Sequence, residues 1–211
     1  MAHIVLFGDS IFDNKAYVGR NGKDVITHLR ESLPENWETT LKAVDGSLIK
    51  NVSGQLLDTP AEATHLVVSA GGNDAIMSSD LLQMKANNSA EVLSEIAARC
   101  EVFETHYETM LQNLLSKNLP AAVCTIYFPN FSEPLFQQLA VTALSVFNDV
   151  IIRQAIINNL PFIDLRLICN EADDYANEIE PSDKGGKKIA AKILELINKH
   201  EFSNRRTQVF A

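Results

Sequence analysis

The stretch Ile4-Val5-Leu6-Phe7-Gly8-Asp9-Ser10 decides the fold of this chain. Four apolar residues run without polar alternation into a glycine, an aspartate and a serine. An apolar run with no polar face suits a strand covered on both sides, as in a parallel sheet. The glycine then permits a tight turn. Met1 to Gly8 therefore reads as a first strand. It has no basic region ahead of an apolar segment, as a signal peptide would.

Outward from this stretch, similar runs recur at Leu66-Val67-Val68, Ala122-Val123-Cys124-Thr125-Ile126 and Phe162-Ile163. The more polar Thr39 to Val44 is a candidate edge strand. Between these runs, apolar residues at helical spacing predict helices over Asp24 to Leu33, Ala90 to Lys117, Ser132 to Asn159 and Ser182 to Lys199. Pro134 falls in a first turn, where its missing N–H costs nothing, and Ser182 is a cap. Strands alternating with helices predict an α/β fold built on a central parallel sheet. One domain is expected over residues 1–200, followed by a C-terminal tail, 201–211, whose Arg205-Arg206 pair reads as a solvated end.

Composition narrows the function. The 211 residues are 46% hydrophobic, enough for a sizeable core, and carry a formal net charge of −9. That balance argues against nucleic acid as a partner, because such binding draws its affinity from Lys and Arg on phosphates. It also argues against polybasic contact with anionic membranes. No apolar run reaches the roughly 18 residues of a membrane span. Cys100, Cys124 and Cys169 are odd in number and widely spaced, which suits small buried hydrophobes in a reducing, cytoplasmic setting. No cysteine/histidine spacing suggests zinc, and no metal or cofactor is expected.

In open parallel sheets, ligands bind beyond the carboxyl ends of the strands. Ser10 lies there, and a serine hydroxyl can attack a carbonyl if a partner takes its proton. Read alone, the tripeptide favours a serine that caps a turn. Val44-Asp45-Gly46-Ser47 follows the weak strand, and Ser69-Ala70-Gly71-Gly72-Asn73-Asp74 follows the strongest one as a sharp polar loop. An Asn amide and backbone N–H groups are the donors that hold a developing oxyanion.

Together these loops resemble the SGNH, or GDSL-type, ester hydrolase family. Gly8-Asp9-Ser10 is similar to its first block, with the nucleophilic serine. Gly46 falls where the second block's glycine would lie, with Gly54 as the alternative, and Gly71-Gly72-Asn73-Asp74 resembles the third. The resemblance runs from residue 4 to about 195. It implies a three-layer α/β/α, flavodoxin-like sandwich acting on a small-molecule ester. It also implies that the Ser10 N–H, the Gly46 N–H and the Asn73 side chain form the oxyanion hole, with Gly8, Asp9, Gly72 and Asp74 supporting.

The fifth block departs from the pattern. The family's Asp and His fall in the stretch Asn177-Glu178-Ile179-Glu180-Pro181-Ser182-Asp183-Lys184-Gly185-Gly186. Glu180 stands where the general-base histidine should be, and Asn177 where its orienting aspartate should be. None of His3, His28, His65, His106 and His200 is placed to substitute; His28 and His106 are expected on polar helix faces, and His65 across the sheet from Ser10. A carboxylate can be a general base, but its ordinary pKa of about 4.3 makes it a weak one at neutral pH. Just ahead of a helix start, the dipole is expected to hold Glu180 ionised and oppose the upward shift a base needs. Two readings follow. One is a serine hydrolase acting through Ser10 and Glu180. The other is a degenerate pseudo-hydrolase that binds a small acylated ligand or a protein partner.

Overall fold

The structure, a computed structural model, describes residues 2–204 and 206–211. Met1 and Arg205, assigned above to the first strand and the tail, lie outside the described residues. The strands are β1 (His3–Gly8), β2 (Glu38–Leu41), β3 (His65–Ser69), β4 (Ala121–Cys124), β5 (Phe162–Ile163) and β6 (Val209–Phe210). They form one sheet in the order β2-β1-β3-β4-β5-β6, and every pairing is parallel. The helices are α1 (Val25–Ser32), α2 (Ile49–Leu57), α3 (Gly72–Ile76), α4 (Ser89–Leu115), α5 (Pro134–Ile157) and α6 (Asp183–Lys199).

The unbroken apolar runs follow from two covered faces. Val5 and Phe7 of β1, with Val68 of β3 and Val123 of β4, pack against α2, α4 and α5. Ile4 and Leu6, with Val67 and Ala122, pack against α1 and α6. Alternate side chains point to opposite faces, so both periods of each strand must be apolar. The helices are set by their caps and stripes. Asp24 accepts from the Thr27 N–H at the start of α1, and Ser182 accepts from the Gly185 N–H at the start of α6. Ile189, Ile193, Leu196 and Ile197 form the buried stripe of α6.

Several expectations are corrected. Residues 201–211 are not a plain tail: Val209 and Phe210 pair with Phe162 and Ile163 as the sixth strand, and Phe210 is buried. Gly71 to Asp74 is not a loop throughout, because Gly72–Ile76 coils into α3. α2 is a helix beyond those expected, with Ile49, Val52 and Leu56 at helical spacing on one buried face. α5 is, by length and composition, long and apolar enough to cross a membrane, contrary to the reading that no segment is. In this fold its Leu144, Phe147, Val150 and Ile151 are buried in the core. Asp174, in the acidic stretch Glu171-Ala172-Asp173-Asp174, is fully buried; it accepts from the Asn170 and Glu171 N–H groups and from Lys188.

Candidate active site

The chain runs from β1 out to β2 on one side, then back across to β3 on the other, so the strand order reverses between β1 and β3. The crevice at such a reversal is where open α/β sheets hold ligands. The Gly8-Asp9-Ser10 turn and the Gly71-Gly72-Asn73 segment leave the carboxyl ends of these two neighbouring strands. Gly8 has φ +130°, and a Cβ there would lie 1.8 Å from the Ser69 carbonyl oxygen, so no other residue fits this close approach. Gly71, at φ +116°, starts α3 in the left-handed region with Phe103 packed against it.

Ser10 is 6% exposed, and its hydroxyl donates to Glu180 Oε1 at 3.0 Å across 170 residues of sequence. Glu180 is equally buried, and its Oε2 has no hydrogen-bond partner among the described residues. Burial raises its carboxyl to about 7; the Ser10 hydrogen bond opposes that shift and the nearby Asp45 charge adds to it. The expected helix-dipole effect is overturned. Ser182 Oγ, not Glu180, receives the Gly185 N–H, so the carboxyl responds to its apolar surroundings. Asp9 is also raised to about 7, first by burial, against the Ile11 N–H bond it accepts, and further by the Glu180 and Asp74 charges.

The loop carrying Glu180 is held by its backbone. Asn177 Oδ1 accepts from the Ile179 and Glu180 N–H groups, both at 2.9 Å. Asn177 therefore shapes the turn and does not orient the Glu180 carboxyl, as the family position had implied. Asn14, fully buried, donates to the Pro181 carbonyl and accepts from the Val25 N–H, tying this loop to α1. Tyr127 donates to the Ile179 carbonyl at 2.5 Å. Asp164, just past β5, accepts from Thr125 and Arg166.

The oxyanion candidates divide. Asn73 lines the cavity beside Ser10 and donates one amide hydrogen to the Ser47 carbonyl at 3.0 Å. An amide carries two such hydrogens, so a second remains for a ligand. Asp74 does not face the cavity; its Oδ2 accepts the Ile49 N–H at the start of α2. Gly46 lies in the turn before Ser47 at φ +76°, exposed, and is not among the cavity-lining residues. Gly54 is removed as an alternative, because it lies exposed inside α2. The sequence reading missed Gln55. Its amide accepts from the Gly8 N–H and donates to the Gly8 carbonyl, both at 2.8 Å, and also donates to Ser47 Oγ. It clamps the Gly8-Asp9-Ser10 turn to the Ser47 loop.

No histidine reaches the cavity among the described residues. His3 bonds Thr40, His28 is buried against Asp183, His65 packs on Phe202, and His200 bonds Gln208. His28 is thus not on a polar face as expected. The cavity itself, about 350 Å³, runs from Asp9, Ser10 and Glu180 along an apolar wall of Phe136, Ala140, Ala143, Leu144 and Phe147 on α5. Pro129 and Phe131 add to that wall.

A serine at the sheet's reversal point, bonded to a buried carboxyl and opening on an apolar cavity, fits a hydrolase of α/β fold acting on esters. Residues 6–188 match the model of the GDSL-like lipase/acylhydrolase family, and the chain belongs to that family. Its fold is shared with the lipase Lip_vut3 from a goat rumen metagenome: TM-score 0.71, 16% identity, covering 92% of this chain and 97% of that one. It is shared as well with an extracellular lipase from Streptomyces rimosus: TM-score 0.67, 15% identity, 95% and 100% covered. An acetyl xylan esterase, AlAXEase, gives TM-score 0.68 at 20% identity, with 92% and 99% covered. Comparison with curated protein sequences finds no match.

Proposed function

We propose that this protein hydrolyses carboxylic esters through Ser10, with Glu180 as general base in place of a histidine. The observation that carries this reading is the 3.0 Å hydrogen bond from the Ser10 hydroxyl to a buried carboxyl raised to about 7. A general base works best when its pKa lies near the operating pH. Ser10 Oγ bonds to the ester carbonyl carbon as Glu180 takes its proton. The carbonyl oxygen becomes an oxyanion that accepts from the free Asn73 amide hydrogen and from the Ser10 backbone N–H. The carbon–alkoxide bond then breaks, and Glu180 returns the proton to the departing alcohol. Water next attacks the acyl-serine, gives its proton to Glu180, and Ser10 regains it as the acid leaves.

The cavity wall on α5 supports an apolar acyl portion for the ester. Turnover of a medium-chain aryl ester by wild type and by Ser10→Ala tests the reading. A fall of about 10³-fold or more is expected from losing the nucleophile. Equal rates would remove it and leave the pseudo-hydrolase, a pocket that binds an acylated ligand without cleaving it.

A further inference from the structure

The polar lining of the cavity has one sign of charge. Asp9, Glu178 and Glu180 contribute carboxyls, and no Lys, Arg or His lines it among the described residues. Asp9 is 2% exposed, and the buried Glu180 Oε2 has no hydrogen-bond partner among the described residues. Glu178 is exposed, with its backbone carbonyl fixed by the Asn130 N–H, and so marks the entrance. Leu81, Leu144 and Phe147 are buried and mark the apolar depth. Outside the lining, Asp45, held by Tyr17, adds negative potential at Glu180.

We infer that the substrate joins an apolar acyl chain to an alcohol bearing an ammonium group, with the chain along α5 and the cation between Glu178 and the buried Asp9–Glu180 pair. This rests on the ester hydrolase reading and names its substrate class. Two carboxyls buried without a cation repel one another and resist ionisation. An ammonium close by relieves both penalties, and it sets a positive charge against the unpaired Glu180 Oε2. It also favours the ionised Glu180, the form that takes the Ser10 proton. A neutral alcohol does neither, and an anionic headgroup adds repulsion. The released acid is itself an anion beside these carboxyls, which favours its departure.

The test compares octanoylcholine with its neutral carbon isostere, 3,3-dimethylbutyl octanoate. Binding to Ser10→Ala is measured by calorimetry, where no turnover interferes. The cationic ester is expected to bind about tenfold more tightly. Glu178→Gln, added to Ser10→Ala, is expected to cut that preference about threefold, as suits a charge at an open rim. Equal binding of the two esters, no binding of octanoylcholine, or a preference untouched by Glu178→Gln would overturn the inference. Wild-type turnover separates the two readings. Ser10-dependent hydrolysis with no charge preference defeats only this inference. A binding preference in Ser10→Ala, without Ser10-dependent turnover in wild type, defeats only the hydrolase reading.

Discussion

Glu180→Gln is the substitution in which activity and stability should move in opposite directions. The glutamine is nearly isosteric and can keep a hydrogen bond to Ser10, but it cannot take a proton. Loss of a positioned general base costs typically about 10²–10⁴-fold in rate. The stability effect follows from the raised carboxyl. The unfolded chain ionises Glu180 near its ordinary value of 4.5, whereas the folded protein holds the proton to about 7. Below 4.5 both states are protonated and the group is neutral to stability. Between 4.5 and 7 the folded state loses ground, and above 7 the full penalty stands. At 1.36 kcal/mol per pKa unit, and allowing for solvent at the cavity mouth, that penalty is about 2 kcal/mol.

Glutamine carries no such penalty. Urea denaturation at pH 8 should therefore find Glu180→Gln more stable than wild type by about 2 kcal/mol, or about 4–8 °C in melting temperature. The gap should close at pH 4.5. Asp9 titrates in the same window and faces Glu180, so some pH dependence persists in the variant; Asp45, Glu178 and Tyr127 are the other titratable neighbours. Wild-type kcat/KM, followed by pH-stat titration of the released acid, should rise with pH through about 7, as Glu180 loses its proton. A variant within about threefold of wild-type activity would refute the base assignment. A variant less stable than wild type at pH 8 would refute the claim that burial raises the carboxyl.

Asn73→Ala should lower kcat by about 10²–10³-fold with little change in KM, because the oxyanion exists only in the transition state; steady-state kinetics decide it. Gln55→Ala removes both hydrogen bonds to Gly8 and should destabilise the fold by about 2–3 kcal/mol in urea titrations, with a larger proportional loss in kcat than in binding. Ala143→Phe narrows the α5 wall and should shift the preferred acyl chain from octanoyl towards butyryl or acetyl, read as the ratio of kcat/KM values along an aryl ester series.

Much of the scaffold was legible in the residues themselves. Ile4 to Phe7 had to be a doubly covered strand because both of its faces are apolar, and Asp24 and Ser182 announced their helices by capping chemistry. Ser10 was visible as a serine just past a strand and a glycine, and Asn73 as an amide at the next strand's end. α2 was readable from the Ile49, Val52, Leu56 spacing, whereas the clamp of Gln55 on Gly8, 47 residues away, was not. β6 was not readable, since two residues carry no period.

The sequence by itself determined the order of β1 to β5 and of α1, α4, α5 and α6, and the residues that leave the sheet's carboxyl edge, because these depend on local periodicity and turn chemistry. The tertiary structure decided what Glu180 is. Its sequence position beside a helix start argued for an ordinary, ionised carboxylate. Folding brings it to Ser10, gives the helix end to Ser182, and surrounds it with apolar side chains and other carboxyls. A pKa depends on what lies nearby in space, including residues 170 positions away, and local sequence does not contain that.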